Sequence, residues 1–139
     1  MNRSIAIVAS SGMGKSDTMV KLAIADAAST NKTIIVWDGE RTLDMLMSHV
    51  SYKLKYIDRM GAIPSMYFIT SETIPDYIEM VLNKGLDNPD GMALFVDEPG
   101  WSPGDTTNPA LTALAYSANI VYYTVQANRK GSAHVKLAA

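Results

Sequence analysis

Short apolar runs alternate along this chain with stretches whose apolar residues recur every three or four positions. Ile5, Ala6, Ile7 and Val8 form a compact run that predicts a buried strand, followed by a glycine-containing loop over 9–14. Over 16–29, Met19, Val20, Ala23, Ile24 and Ala27 fall at helical spacing. Residues 33–37 read as a second buried strand closed by Asp38-Gly39, and Leu43, Leu46, Met47 and Val50 predict a helix over 42–53. Residues 66–70 predict a third strand. Ser71 and Glu72 then suggest a helix start, with Pro75 in its first turn, Ile78, Val81 and Leu82 on its buried face and Gly85 as its C-terminal cap. Residues 92–96 form a fourth apolar run, stopped by Asp97-Glu98-Pro99-Gly100; 101–108 is loop, 109–118 a helix and 120–125 a fifth strand. Strands separated by helices predict an α/β fold with a mainly parallel five-stranded sheet covered on both faces.

The 139 residues suit a single domain, 1–139, and 47% hydrophobic with 19% charged residues is too apolar a balance for a disordered chain. A net charge of -2 predicts no global attraction to nucleic acid, so any such contact has to be a local patch. The absence of cysteine excludes disulfides, thiolate zinc sites and cysteine nucleophiles, and two histidines argue against a histidine-built metal site. Met1-Asn2-Arg3-Ser4 leads into a short apolar run followed by glycines, unlike a secretory leader, and no apolar stretch approaches the roughly 20 residues of a membrane span. The expected setting is cytoplasmic.

The sharpest chemical signal is Ala9-Ser10-Ser11-Gly12-Met13-Gly14-Lys15-Ser16, which fits the phosphate-loop pattern G-x-x-x-x-G-K-[ST] with alanine at the first position. Glycines let backbone N–H groups curl around a polyphosphate, and the helix that follows turns its positive end toward the charge. Ser10, Ser11, Gly12, Met13, Gly14, Lys15, Ser16 and Asp17 are therefore the expected nucleotide cradle. Lys15 is expected to reach the β- and γ-phosphates, and the Ser16 hydroxyl to ligate Mg²⁺. A predicted strand before the loop and a predicted helix after it supply the context this motif requires.

Asp97 and Glu98 directly follow a buried apolar run. Ligands of parallel sheets gather beyond the carboxyl ends of the strands, so Asp97 is expected beside the phosphate loop, holding Mg²⁺ through water. Glu98 is expected to orient and deprotonate an attacking water.

Together these segments resemble the Walker A and Walker B elements of P-loop NTPases. A glutamate after the Walker B aspartate resembles the additional-strand, catalytic-glutamate division, whose members place an extra strand between those carrying the two motifs; 66–70 is available for that role. The resemblance implies a three-layer P-loop NTPase fold. The fifth predicted strand ends in Gln126, similar in type and place to the glutamine that contacts the γ-phosphate in HerA/FtsK-like ATPases, among them viral genome-packaging and filamentous-phage assembly ATPases. The resemblance implies ATP and Mg²⁺ as ligands and a motor for genome packaging or virion assembly. The resemblance further implies a homo-oligomeric ring acting on nucleic acid, DNA in preference to RNA, with a viral capsid or membrane partner and a host-cytoplasmic or virion-associated location. Arg129 is then either a finger entering a neighbouring subunit's site or, with Lys130, a phosphate contact.

Other readings stay open. Glu40 sits where RecA-like ATPases carry their catalytic glutamate, although Asp38-Gly39 also reads as a turn and Glu40 as a first-turn acid of the next helix. Asp97-Glu98-Pro99-Gly100 fits the D-x-x-G loop of GTPases, but no guanine-selective N-K-x-D follows a later strand. A small-molecule kinase lacks its arginine-bearing cover here, and a nucleotide-dependent switch is the non-enzymatic alternative. Trp101, on the loop through 99–109, either stacks on a base or partner or folds back onto the domain.

Overall fold

The computed structural model describes residues 3–9, 14–57, 66–126 and 134–138. In chain order these form β1 (Arg3–Ala9), α1 (Lys15–Ser29), β2 (Thr33–Asp38), α2 (Leu43–Ile57), β3 (Met66–Thr70), α3 (Pro75–Asp87), β4 (Met92–Asp97), α4 (Pro109–Ser117), β5 (Ile120–Gln126) and β6 (His134–Ala138). One sheet holds all six strands in the order β3-β2-β4-β5-β1-β6. The first five run parallel, and β6 lies antiparallel on the outer edge of β1. The α/β architecture with helices on both faces is as the apolar pattern predicts.

Period-two alternation divides the sheet's side chains between the two faces. On one face Ile34, Val36, Ala93, Phe95 and Ile7 pack under Met19, Ala23 and Ala27 of α1. Val20 and Ile24 on the next stripe of α1 meet Leu46 and Val50 of α2. On the other face Ile35, Trp37, Leu94, Val96 and Val121 pack against Val81 of α3 and Leu111, Leu114 and Ala115 of α4. β2 and β4 are buried along their whole length, as central strands covered on both faces must be. Each large aliphatic side chain enclosed in this way contributes about 1.5–3 kcal/mol.

Four features differ from the sequence reading. The sheet has six strands: β6 covers the edge of β1, pairing Ser4 with Ala138 through Val8 with His134. Such an edge otherwise presents unpaired N–H and C=O groups. The strand between β1 and β4 is β5, and 66–70, as β3, forms the opposite edge beside β2. α3 begins at Pro75 rather than near Ser71. Ile74 before the proline is held extended at φ -74°, ψ 149°, and Thr70 and Thr73 close a tight turn, with Thr73 Oγ1 accepting from Thr70 N at 2.9 Å. Gly85 lies inside α3 instead of capping it, and a Cβ there would run into Met92 of β4. That glycine is a packing device.

No helix among the described residues is long and apolar enough to cross a membrane.

Candidate functional site

Parallel pairing brings the carboxyl ends of four strands to one edge: Ala9 of β1 is level with Gln126 of β5, and Asp38 of β2 with Asp97 of β4. α1 starts at this edge. Gly14 precedes it at φ 81°, ψ 27°, a left-handed conformation that glycine adopts without strain. α4 receives a side-chain cap, since Asn108 Oδ1 accepts from Leu111 N at 3.2 Å, whereas Gly14 at the same position of α1 has no side chain to offer. The start of α1, with the positive end of its dipole, thus faces the strand ends, an arrangement that attracts anions.

A recess of about 110 Å³ lies here, walled by Lys15, Ser16, Glu40, Asp97, Pro99, Gly100, Thr124 and Gln126. Ser16 Oγ donates to Asp97 Oδ2 at 2.5 Å, joining the first turn of α1 to the end of β4 across 81 residues of chain. Thr124 Oγ1 of β5 donates to Asp97 Oδ1 at 3.3 Å. Asp97 shares its face of β4 with Ala93 and Phe95, beneath α1, and is only 8% exposed. Both of its oxygens therefore serve hydroxyls in a buried setting, where an unpartnered carboxylate is costly.

Pro99 and Gly100 reach the recess through a tight turn. Trp101 N donates to Glu98 O at 3.2 Å, and Gly100 has φ 74°. Proline followed by a positive-φ glycine at the two central positions is type II turn chemistry. At the end of β2 Asp38, 2% exposed, accepts from both Glu40 N and Arg41 N at 2.9 Å and lies 3.7 Å from Arg41 Nη1. This turn carries Glu40 into the wall. α2 starts only at Leu43, so Glu40 precedes the helix rather than serving as its first-turn acid.

Glu98 points elsewhere. It follows Val96 on the α3–α4 face of β4, and its Oε2 accepts from Trp37 Nε1 at 3.0 Å. Gly39, whose N donates to Asp97 O at 2.9 Å, leaves the space that this carboxylate fills, since any Cβ on Gly39 would overlap it. Asp17 also stands outside the recess: Lys21 Nζ is 3.0 Å from its Oδ2 and His49 Nε2 is 3.8 Å from its Oδ1. Ser10, Ser11, Gly12, Met13, Arg129 and Lys130 lie outside the described residues. Trp101 is folded back and buried, edge-on to Tyr123 with ring centroids 6.1 Å apart.

The structure thus gathers Lys15, Ser16, Asp97 and Gln126 with Glu40, and sets Glu98 and Asp17 apart. Thr124, Trp37 and Gly39 were not singled out by sequence. Their signals were faint: a hydroxyl two residues before Gln126, an indole one residue before the Asp38 turn, and a glycine that reads as ordinary turn chemistry. Ser16 and Asp97 together offer a hydroxyl and a carboxylate, hard oxygen donors suited to a divalent cation that keeps water and phosphate ligands. Among the described residues no group of three or more His, Asp or Glu side chains is gathered as a metal cluster, so any cation here needs ligands beyond the side chains. No protein-family model matches this sequence, and no curated protein does.

Proposed function

We propose that this chain binds ATP with Mg²⁺ in the recess between α1 and the ends of β4 and β5, and hydrolyses it. The observation that carries this reading is the Ser16–Asp97 hydrogen bond inside a recess that also contains Lys15. It joins the two elements that a P-loop nucleoside triphosphatase needs side by side. The N-terminal end of α1 and the Lys15 ammonium supply positive potential for a polyphosphate. Ser16 and Asp97 would hold Mg²⁺, and Thr124 keeps the Asp97 carboxylate oriented. Mg²⁺, when bound, neutralises charge that develops on the phosphate oxygens. Gln126 can donate its amide N–H to a terminal phosphate oxygen without competing for the cation. Glu98 takes the proton of the attacking water.

A second reading of the base is favoured by one specific observation: Glu40 lines the recess, whereas Glu98 is bonded to Trp37. Glu40 would then do the proton transfer, as its position after β2 allows.

The position of β5 between β1 and β4 supports the additional-strand division over a simple nucleotide switch. With that resemblance goes the larger reading, a homo-oligomeric ring that drives nucleic acid, DNA in preference to RNA, into a capsid or assembles a virion. Arg129 would serve the neighbouring site or the polymer.

Phosphate release from Mg·ATP, with GTP as competitor, tests the core of the proposal. Lys15→Ala and Asp97→Asn are each expected to lower turnover about 100-fold, the scale of removing one preorganised electrostatic group. Glu98→Gln against Glu40→Gln identifies the base. Phosphate release that is indifferent to both Lys15 and Asp97 would sink the assignment.

A further inference from the structure

Trp37 and Glu98 meet because of register. Trp37 of β2 pairs with Val96 of β4, so the residue two beyond Val96 on the same face, Glu98, comes level with the position of Gly39. A side chain at that position would exclude the carboxylate. Gly39 has none, and the carboxylate occupies the gap while Trp37 Nε1 donates to Oε2 at 3.0 Å. Trp37 is buried at 7% exposure. Its indole has a single donor, and loss of Glu98 would strand it away from water. The partner is a half-buried carboxylate, so the bond is charge-assisted. The result is a two-part holder, donor and gap, built from two residues of one strand. It turns Glu98 to the α3–α4 side of the sheet, while its chain neighbour Asp97 faces the recess beneath α1.

Resting on the reading of Glu98 as the base, we propose that Trp37 is a positioning residue that keeps the Glu98 carboxylate out of the recess, so that hydrolysis requires this bond to open. A carboxylate that deprotonates water must come within hydrogen-bond reach of it, directly or through one further water. On the Trp37 side of β4 it stands apart from the wall formed by Lys15, Ser16, Asp97 and Gln126. Bound nucleotide and its attacking water provide the competing partner that draws Glu98 across. The holder therefore restrains turnover until the bond opens.

The test combines kinetics with the indole ¹H–¹⁵N resonances of Trp37 and Trp101, assigned from Trp37→Phe and Trp101→Phe. In the full chain, Glu98→Ala is expected to move the Trp37 resonance and leave that of Trp101 in place. A non-hydrolysable Mg·ATP analogue is expected to move it in the wild type but not in Glu98→Ala. Trp37→Phe keeps the aromatic volume and removes the donor. It is expected to raise kcat roughly tenfold at unchanged KM, the equivalent of one lost charge-assisted hydrogen bond. Gly39→Ala, which displaces the same carboxylate from the other side, is expected to act in the same direction, and Trp37→Phe is expected to have no effect in a Glu98→Gln background. A Trp37 resonance blind to Glu98→Ala overturns the holder, as does a kcat unchanged or lowered by Trp37→Phe while Glu98→Gln is inactive. If Glu98→Gln hydrolyses ATP as the wild type does, Glu98 is not the base and the holder has no part in turnover.

Discussion

Thr124 shows how a single hydroxyl can decide the state of a site. It is buried in a strand that is otherwise mostly apolar, and its hydrogen bond goes to Asp97 Oδ1, the oxygen that Ser16 leaves free. Thr124→Val preserves shape and removes the donor, leaving a buried carboxylate oxygen with less support. The expected loss of stability is about 1–2 kcal/mol, given the charge on the acceptor, read from urea unfolding; Thr124→Ser is expected to recover most of it. Tyr122, two residues earlier on the same strand, carries a different signature. Its ring stacks on Phe95 with centroids 4.4 Å apart and planes 2° from parallel. Burial foremost, then the negative charge of Asp26, pushes its phenol above the ordinary tyrosine value of 10.0, with Arg3 opposing. A phenol whose pKa is raised by folding favours the folded state while it is protonated. Its contribution is complete below the unfolded value and is lost as pH rises through the folded one. Stability measured from pH 9 upward should therefore fall less steeply in Tyr122→Phe than in the wild type, and an identical slope would show that Tyr122 does not carry the effect.

At the scale of elements, Gly85 sets a helix-forming preference against a packing contact. Alanine would stabilise an open helical position by about 1 kcal/mol. Here, however, the added methyl meets Met92, which is 1% exposed in a central strand. Overpacking of this kind typically costs about 1–3 kcal/mol, so Gly85→Ala is expected to destabilise despite its better helix propensity. Shortening the opposing side chain in Gly85→Ala/Met92→Val should give less than the sum of the two single effects, measured as a double-mutant cycle in urea. This conflict was invisible along the chain, where a glycine two residues before the run of turn residues at 87–91 simply resembles a cap. Most elements were legible for the opposite reason: β2 and β4 are continuous apolar runs bounded by turn residues, and α1 shows its buried stripe in Met19, Val20, Ala23, Ile24 and Ala27. What the sequence left open was which strands lie side by side. Crossover helices allow a parallel strand to return to several places, so the insertion of β5 between β1 and β4 has no local signature, and neither does the Trp37–Glu98 contact that depends on β2 lying beside β4. Lys15 and Ser16 could be picked out by the phosphate-loop pattern, and Asp97 and Gln126 because each follows or ends an apolar run.

For the molecule as a whole, the recess lies where the start of α1 meets the ends of β4 and β5. Any ligand that bridges them binds the folded chain alone, because the unfolded chain has no such juxtaposition. Mass action then makes ligand binding a stability measurement. At a free Mg·ATP concentration about 100 times Kd the folded state gains about 2.7 kcal/mol. For a domain of this size that corresponds to a rise in Tm of roughly 8–14 °C, at about 3–5 °C per kcal/mol. Lys15→Ala should abolish the rise, since it removes the cation facing the polyphosphate. Asp97→Asn should make it insensitive to Mg²⁺ while leaving part of the nucleotide effect. Glu98→Gln, whose side chain lies on the other face of β4, should retain the full rise. The pattern across the three variants, read by scanning calorimetry with and without Mg²⁺, separates a nucleotide seated between Lys15 and Asp97 from polyphosphate attracted to the protein surface, because surface attraction weakens steeply with added salt and depends little on any single charge.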